Sequence, residues 1–332
     1  MKKVYIDPAC NFQYSSFYIR GLYDCFGKRS VCFSNKPFVG LKYDLHTHIF
    51  AFVCAGKKYA IDFADSNQIF YEDFLKWADV YAKVNYNCDY LPIAWTHKIV
   101  RCGCNYGMAI YSRKWIAALV ALRNWLLCHQ RITFTCTQYL SRYLMSVKRQ
   151  EISLSENTER NNYIFFVSTL WKGQDKCNQA RINFIRACHN VQAEGLITFE
   201  GGLVPDAEQN VDGLEDVLLK DRIPYEEYTT KLAQSCCVFN TPAYFDCHGW
   251  KLAEYIAMGK IIISTDFTNE LPEAMVDKNN ILFCATSVAD METTIKHLIS
   301  DEQLRINIKR GIQAYNAEYG CPKQVIENVI LL

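Results

Sequence analysis

The stretch from Cys236 to Thr265, CCVFNTPAYFDCHGWKLAEYIAMGKIIIST, constrains this chain more than any other. Cys236 to Asn240 is a short apolar run stopped by Thr241-Pro242, which reads as a buried strand. Gly249 to Met258 has helical character and runs into Gly259, where a glycine after a helix belongs. Ile261 to Ile263 is a second apolar strand, closed by Ser264-Thr265. Strand, long loop, helix, glycine, strand is a βαβ unit, and such a unit commits its domain to a parallel sheet covered by helices. Two features are not structural necessities. The loop Asp246-Cys-His-Gly249 delivers the chain to a helix N-terminus, a natural anion site. Glu254 sits inside an otherwise apolar and small-residue helix.

The rest of the chain repeats the alternation. Val4–Ile6 predicts a strand, 15–26 a helix followed by Gly27, and 30–33 a strand. Residues 48–63 predict two strands around Gly56-Lys57, 70–77 a short helix, 80–84 a strand, and 91–108 irregular structure. Trp115 to Cys128 predicts a buried apolar helix, and 135–148 a more polar one. Arg149 to Asn162 is polar between hydrophobic neighbours, as a linker is. Beyond it come a strand at 163–167, a helix at 176–188, a strand at 196–199 ended by Gly201-Gly202, a polar insertion at 204–222 and a helix at 225–234. The opening unit follows, then a strand at 281–283 and helices from Val288 onward. The fold class is therefore α/β, with two doubly wound Rossmann-like domains facing each other across a cleft. The first spans 1–150, the linker 151–162 and the second 163–310; a C-terminal helix at 311–332 is free to pack back on the first domain. Neither half carries the G-x-G-x-x-G fingerprint, which disfavours a nicotinamide oxidoreductase.

Charge separates the halves. Residues 1–150 hold 20 Lys+Arg and 9 Asp+Glu, a balance of +11; residues 151–332 hold 16 and 26, a balance of −10, and the sum is the +1 of the whole chain. Different neighbours for the two domains account for this, as does ordinary surface composition. Of the sixteen cysteines, Cys32, Cys54, Cys136, Cys188 and Cys236 lie in predicted strands and helices, Met1-Lys2-Lys3 leads into a strand with no apolar leader, and both point to free thiols in a reducing cytoplasm. Cys102-Gly-Cys104 lacks the second ligand pair that a structural zinc site needs, so no metal is expected. The apolar run 115–128 is too short to span a bilayer and contains Arg123. With Arg113, Lys114, Arg131, Arg142, Lys148 and Arg149 around it, a membrane-surface role stays open.

In the second domain a ligand belongs beyond the carboxyl ends of the strands. Ser168 to Gln174, Gly201-Gly202, Thr241 to Gly249 and Ser264 to Leu271 lead there, and they supply helix N-termini, Lys172, Asp246 and, one turn into the helix, Glu254. Dipoles and a lysine suit a diphosphate, and a carboxylate suits ribose hydroxyls. Here the chain resembles the two-Rossmann (GT-B type) glycosyltransferases of group 1, family 4-like, especially bacterial surface-polysaccharide enzymes. That family carries a glutamate, seven residues and a second glutamate, then Met-Gly and an apolar strand. This chain has Asp246, seven residues, Glu254, then Ala257-Met258-Gly259 and Ile261-Ile262-Ile263-Ser264. The first position departs, being one methylene shorter, and the usual link of the motif to retaining stereochemistry does not transfer. The resemblance also touches Phe166 to Lys172, with Arg181 in the next helix, as a donor-phosphate segment. It is strong over about residues 160–320 and weak before, where only 7–18 is similar to the loop that meets the acceptor and the donor phosphates.

The resemblance implies a glycosyltransferase that moves a sugar from a nucleotide-sugar donor to a saccharide or lipid-linked saccharide, without a metal or other cofactor, in surface polysaccharide biosynthesis. Its donor site is expected at Ser168, Lys172, Arg181, His248, Gly249, Trp250, Lys251, Leu252 and Glu254, and its acceptor and phosphate loop at Asn11, Tyr14 and Ser15. Asp246 is a catalytic candidate. So are Asp44 and His46, which alternation places on one face with His48 if 43–48 is extended, and which could serve as general base of an inverting reaction. Each has a structural alternative: a solvated helix glutamate, an Asx-type cap at Asp246, a helix cap at His248, a solvated Lys172. Expected partners are the donor, the acceptor and an inner membrane surface, with no nucleic acid. A nucleotide-sugar epimerase or hydrolase on the same scaffold, and a catalytically silent membrane-surface scaffold, are the alternatives.

Overall fold

The computed structural model describes residues 3–149, 152, 158–206, 211–219, 221 and 223–331. Most of the expected linker, at 151 and 153–157, and part of the expected insertion, at 207–210, 220 and 222, lie outside the described residues. The chain divides into two compact units. One comprises Met1–Ile152, Asn269–Glu273 and Ala317–Leu332; the other Ser153–Thr268 and Ala274–Asn316.

The first unit is built on a six-stranded sheet. Its elements in chain order are β1 (Val4–Ile6), α1 (Phe12–Phe26), β2 (Val31–Phe33), β3 (Ile49–Cys54), β4 (Lys57–Asp62), α2 (Glu72–Trp77), β5 (Val80–Lys83), β6 (Ile99–Arg101), α3 (Lys114–Cys128) and α4 (Cys136–Val147). The strand order is β2-β1-β3-β4-β5-β6, and every neighbour pair is parallel except those involving β3. The local reason is the turn at Ala55-Gly56, where φ is 52° and 86°. Two positive-φ residues close a tight hairpin, and a connection that short can only pair its strands antiparallel. All six residues of β3 are buried, as befits a strand covered on both faces. The strand β6 falls in the stretch 91–108 expected to be irregular.

Two glycines in this unit are required by close approach. A Cβ on Gly21 would lie 2.2 Å from Pro322 O, and one on Gly103 would lie 2.7 Å from Tyr319 O. Both admit the C-terminal helix α10 (Pro322–Leu331), which packs along α1. Cys102-Gly-Cys104 is thus a buried turn against this segment, and burial pushes the Cys104 thiol up to about 12. All sixteen cysteines are free; Cys32, expected inside, is exposed on β2.

The largest departure is α3. Its buried residues are Ala117, Ala121, Asn124 and Cys128, while Trp115, Leu119, Leu122 and Leu126 face outward. The expectation of a buried helix is corrected. Lys114, Arg123 and Asn124 apart, the helix carries apolar residues on every face, and the face of small residues packs closely on α4, with Asn124 Nδ2 donating to Tyr143 Oη at 3.0 Å. That choice turns the bulky side out.

The second unit contains β7 (Tyr163–Leu170), α5 (Asp175–Ala193), β8 (Thr198–Pro205), α6 (Tyr225–Gln234), β9 (Val238–Asn240), α7 (Trp250–Ala257), β10 (Ile262–Ser264), β11 (Leu282–Phe283), α8 (Val288–Ser300) and α9 (Glu302–Tyr315). β7 pairs with β8, and β9, β10 and β11 pair in that order, all parallel. β9 lies beside β7: Cys236 N donates to Tyr163 O and Phe165 N to Ser235 Oγ, each at 2.8 Å. The spatial order is therefore β11-β10-β9-β7-β8, in which the chain leaves β7 toward one side and returns at β9 on the other. Phe184 and Phe239 stack at 4.2 Å, and Phe166 meets both edge-on at 5.4 Å. Each such buried ring contributes on the order of 2–3 kcal/mol. Gly201 and Gly202, expected to end the β8 strand, lie in its middle opposite Phe166 and Val167. A Cβ on Gly201 would sit 1.9 Å from Phe166 O, so glycine lets the two backbones pair.

Candidate functional site

The reversal of strand order between β7 and β9 opens a crevice at the carboxyl ends of these strands, the place where open α/β sheets bind ligands. Three charged side chains converge there. Arg181, buried on α5, sends Nη1 to Thr169 O at 2.5 Å. Lys251, in the first turn of α7, donates its ammonium to Val167 O. Glu254, only 9% exposed, lies one turn further along α7.

Electrostatics couples them. Burial lowers the Arg181 pKa. Burial and then the neighbouring guanidinium of Arg181 push Lys251 down to about 7, with the Glu254 carboxylate opposing. Glu254 also lies close enough to Tyr255 and Tyr228 to raise both phenols, though burial is the larger cause. Arg181 and Lys251, each donating to a carbonyl oxygen, lie beside one carboxylate, and the cluster is net positive while Lys251 keeps its proton. The N-terminus of α7 adds its dipole, with Gly249 as N-cap and no side-chain cap bond among the described residues.

The surrounding loops are pinned. Asn178 accepts from Trp171 N at 3.0 Å and donates to Trp171 O at 2.7 Å, which ties the loop before α5 to that helix. Ser168 is buried at the end of β7, and Lys172 is exposed in the loop. Between β9 and α7, Phe245 and Asp246 adopt φ of 53° and 58°, a left-handed pair that non-glycine residues seldom occupy. Asp246 is half-buried, with its Oδ1 3.9 Å from Lys176 Nζ. Trp171, Tyr244 and Phe245 form an aromatic rim, with centroids 6.0 and 4.3 Å apart. His248 is buried edge-on to Phe267 at 5.2 Å and is not the helix cap. Leu252 is core, and Trp250 opens the helix.

Of the residues expected from sequence, the structure brings Ser168, Arg181, Gly249, Lys251 and Glu254 to one strand edge. Asn178, Gln174, Lys176 and the Tyr228–Tyr255 pair escaped sequence reasoning. Asn178 and Gln174 act only through loop backbone, Gln174 accepting from Phe245 N at 3.3 Å, and no spacing signals that.

In the first unit, Asn11 is the buried N-cap residue of α1, and its Oδ1 has no partner among the described residues. Ser15 is buried one turn on, and Tyr14 packs its ring 5.2 Å from His48. Burial lowers the His48 pKa. The extended face expected at 43–48 is not formed. Asp44 Oδ1 accepts from His46 N at 2.9 Å and from Thr47 Oγ1 at 2.8 Å, so the segment is a turn closed by its own aspartate, with Asp44 and His46 exposed. Among the described residues no group of three or more His, Cys, Asp or Glu could hold a metal ion.

Comparison with known proteins bears out the resemblance over the second unit. Residues 161–301 match the family described as "Glycosyl transferases group 1". No curated protein matches the chain. Among solved structures, the C-terminal domain of a glycosyl transferase group 1 family protein (LpcC) from Francisella tularensis is 18% identical with a TM-score of 0.36, covering 50% of this chain and 94% of that one. The S. aureus MnaA–UDP co-structure is 11% identical with a TM-score of 0.40, covering 78% of this chain and 61% of that one. A glycosyltransferase from Rickettsia africae is 10% identical with a TM-score of 0.40, covering 80% and 66%. The chain thus spans less than two thirds of the length of the latter two.

Proposed function

We propose that the whole chain acts as the family matched by its second unit does: a glycosyltransferase that moves a sugar from a nucleotide-sugar to a saccharide or lipid-linked saccharide, in surface polysaccharide biosynthesis at the inner membrane face. The observation that carries this reading is the convergence of buried Arg181 and half-buried Lys251 with buried Glu254 at the β7/β9 reversal. The cations and the α7 dipole meet the donor diphosphate, assisted by Ser168 and Lys172; Glu254 accepts from the ribose hydroxyls. In the reaction the bond from anomeric carbon to phosphate oxygen breaks, and the diphosphate leaves with the electron pair. The acceptor hydroxyl oxygen forms the new bond to that carbon. Arg181 and Lys251 stabilise the charge that grows on the leaving oxygen, where a preorganised cation in a dry site lowers the barrier most. The acceptor proton passes to a base such as Asp44 or His46 if the anomeric configuration inverts, or to the leaving phosphate oxygen if it is retained. The start of α1, with Tyr14 beside buried Asn11 and Ser15, is assigned to the acceptor.

The test is a thermal-shift panel of UDP, GDP, ADP and CMP and their sugar conjugates on wild type and Glu254→Ala. Binding to the native state alone raises apparent stability by mass action. One nucleotide class should stabilise the wild type, and Glu254→Ala should lose at least about tenfold in its affinity, the equivalent of ~1.4 kcal/mol, with its unliganded midpoint retained. No stabilisation by any nucleotide, or unchanged affinity in the variant, overturns the assignment. Turnover of the sugar nucleotide at full rate without an acceptor would mark an epimerase or hydrolase instead.

A further inference from the structure

We infer that the outward face of α3 with the adjoining face of α4 is a docking surface for an anionic lipid bilayer, on which α3 lies in the plane of the headgroups. This assignment stands apart from the transfer reaction and uses none of its residues.

Trp115, Leu119, Leu122 and Leu126 are 58, 61, 50 and 60% exposed, and their spacing of four, three and four residues puts them in one stripe along the helix. Soluble proteins seldom leave such a stripe uncovered. It continues into a groove of about 400 Å³ lined by Trp115, Leu119 and Leu122 of α3 and Cys136, Tyr139 and Leu140 of α4. Met145, 49% exposed, extends the apolar surface along α4.

Charge selects the occupant. Residues 90–150 contain nine Lys+Arg and no Asp or Glu; Arg101 and Arg131 pair with Glu270 and Asp7 and Arg142 is buried, whereas Arg113, Lys114 and Arg123 are exposed at α3. Lys114 and Arg123, both exposed, fall about 100° to one side and 80° to the other of the stripe at helical spacing. From there long flexible stems can lie along the apolar face while the charged heads contact headgroups over an immersed helix. A second copy of the chain, docked face to face, would set one cationic face against another of the same sign. An anionic membrane offers hydrocarbon for the leucines and negative charge for the rim, worth roughly tenfold in affinity for two cations even after screening. Trp115, at the end of the stripe beside Arg113 and Lys114, sits where indoles anchor at the headgroup level. At fifteen residues, or about 22 Å, α3 lies on a bilayer rather than crossing it, and no helix among the described residues is long and apolar enough to cross.

The experiment is co-sedimentation of the full chain with vesicles of phosphatidylcholine alone and of phosphatidylcholine with about one third phosphatidylglycerol, with light scattering in parallel. Wild type should bind the anionic vesicles at least about tenfold more tightly than the neutral ones, and added salt should weaken the binding. The triple substitution Leu119→Gln/Leu122→Gln/Leu126→Gln should cut binding to anionic vesicles at least about tenfold. The double substitution Lys114→Gln/Arg123→Gln should remove most of the preference for anionic lipid. Both variants should keep the wild-type melting temperature, since every replaced side chain is exposed. Failure of wild type to bind anionic vesicles, equal binding by the triple variant, or a wild-type dimer that the triple substitution dissolves would overturn the proposal; the last would give the face to a second copy.

Discussion

At Lys251 two effects pull one way and two resist. Loss of water and then the charge of Arg181 disfavour the ammonium, Glu254 and after it Cys177 favour it, and the balance holds the pKa at about 7. A bound diphosphate would supply the negative charge the pocket lacks and raise that pKa again. The sign of the linkage follows. Below pH 7 the lysine is protonated with or without ligand, and affinity is flat. Above pH 7 the free protein has lost the proton and the complex has kept it, so binding takes up one proton and weakens as pH rises, by up to about tenfold per pH unit until the pKa of the complex is passed. Calorimetric titration of the nucleotide between pH 6 and 9 in two buffers of different ionisation enthalpy reads this directly. Lys251→Met should bind weakly at every pH, and Lys251→Arg should bind with little pH dependence because a guanidinium does not titrate in this range. Wild-type affinity that is flat from pH 6 to 9 would show that Lys251 does not meet the diphosphate.

Among the elements, the βαβ unit from β9 to β10 was legible in the chain because its signals are local: an apolar run, a capping glycine, a second apolar run. Glu254 stood out for the same reason, as a carboxylate among small and apolar neighbours. What could not be read depended on partners distant in sequence. The apolar run of α3 says that the helix avoids water but not which face finds a neighbour, and the small face found it. Asp44 to His48 alternates like a strand, yet the aspartate closes a turn on its own backbone. Gly201-Gly202 resembles the end of a strand because glycine usually is one; here it permits β7 to approach, which only the paired backbone reveals. A contrast of two glycines tests that reason. Gly201→Ala places a methyl carbon within 1.9 Å of Phe166 O, whereas a Cβ on Gly249 would meet Ala243 Cβ at an ordinary 3.4 Å. Gly201→Ala should therefore destabilise by about 2–4 kcal/mol in urea unfolding and Gly249→Ala by less than about 1. Equal midpoints for the two variants would refute the close-approach account of β8.

For the whole molecule, each unit carries its own sheet and core, yet the chain passes between them four times, at 152/153, 268/269, 273/274 and 316/317. Independent cores favour separate unfolding steps, and repeated crossings favour a single cooperative one. The cores contribute the larger energy, since each buries tens of apolar side chains, so two calorimetric transitions are expected. A substitution and a ligand should then act on different transitions. Gly21→Leu would drive a side chain into Pro322 and lever α10 away from α1, lowering only the transition of the first unit. A donor nucleotide at about a hundred times its dissociation constant adds ~2.7 kcal/mol to the second unit alone, and should raise that unit's midpoint by roughly 5–10 °C. Scanning calorimetry of wild type and Gly21→Leu, each with and without nucleotide, yields four traces in which the two shifts should be additive and confined to separate peaks. A single peak that moves with both perturbations would show that the four crossings couple the units into one cooperative fold.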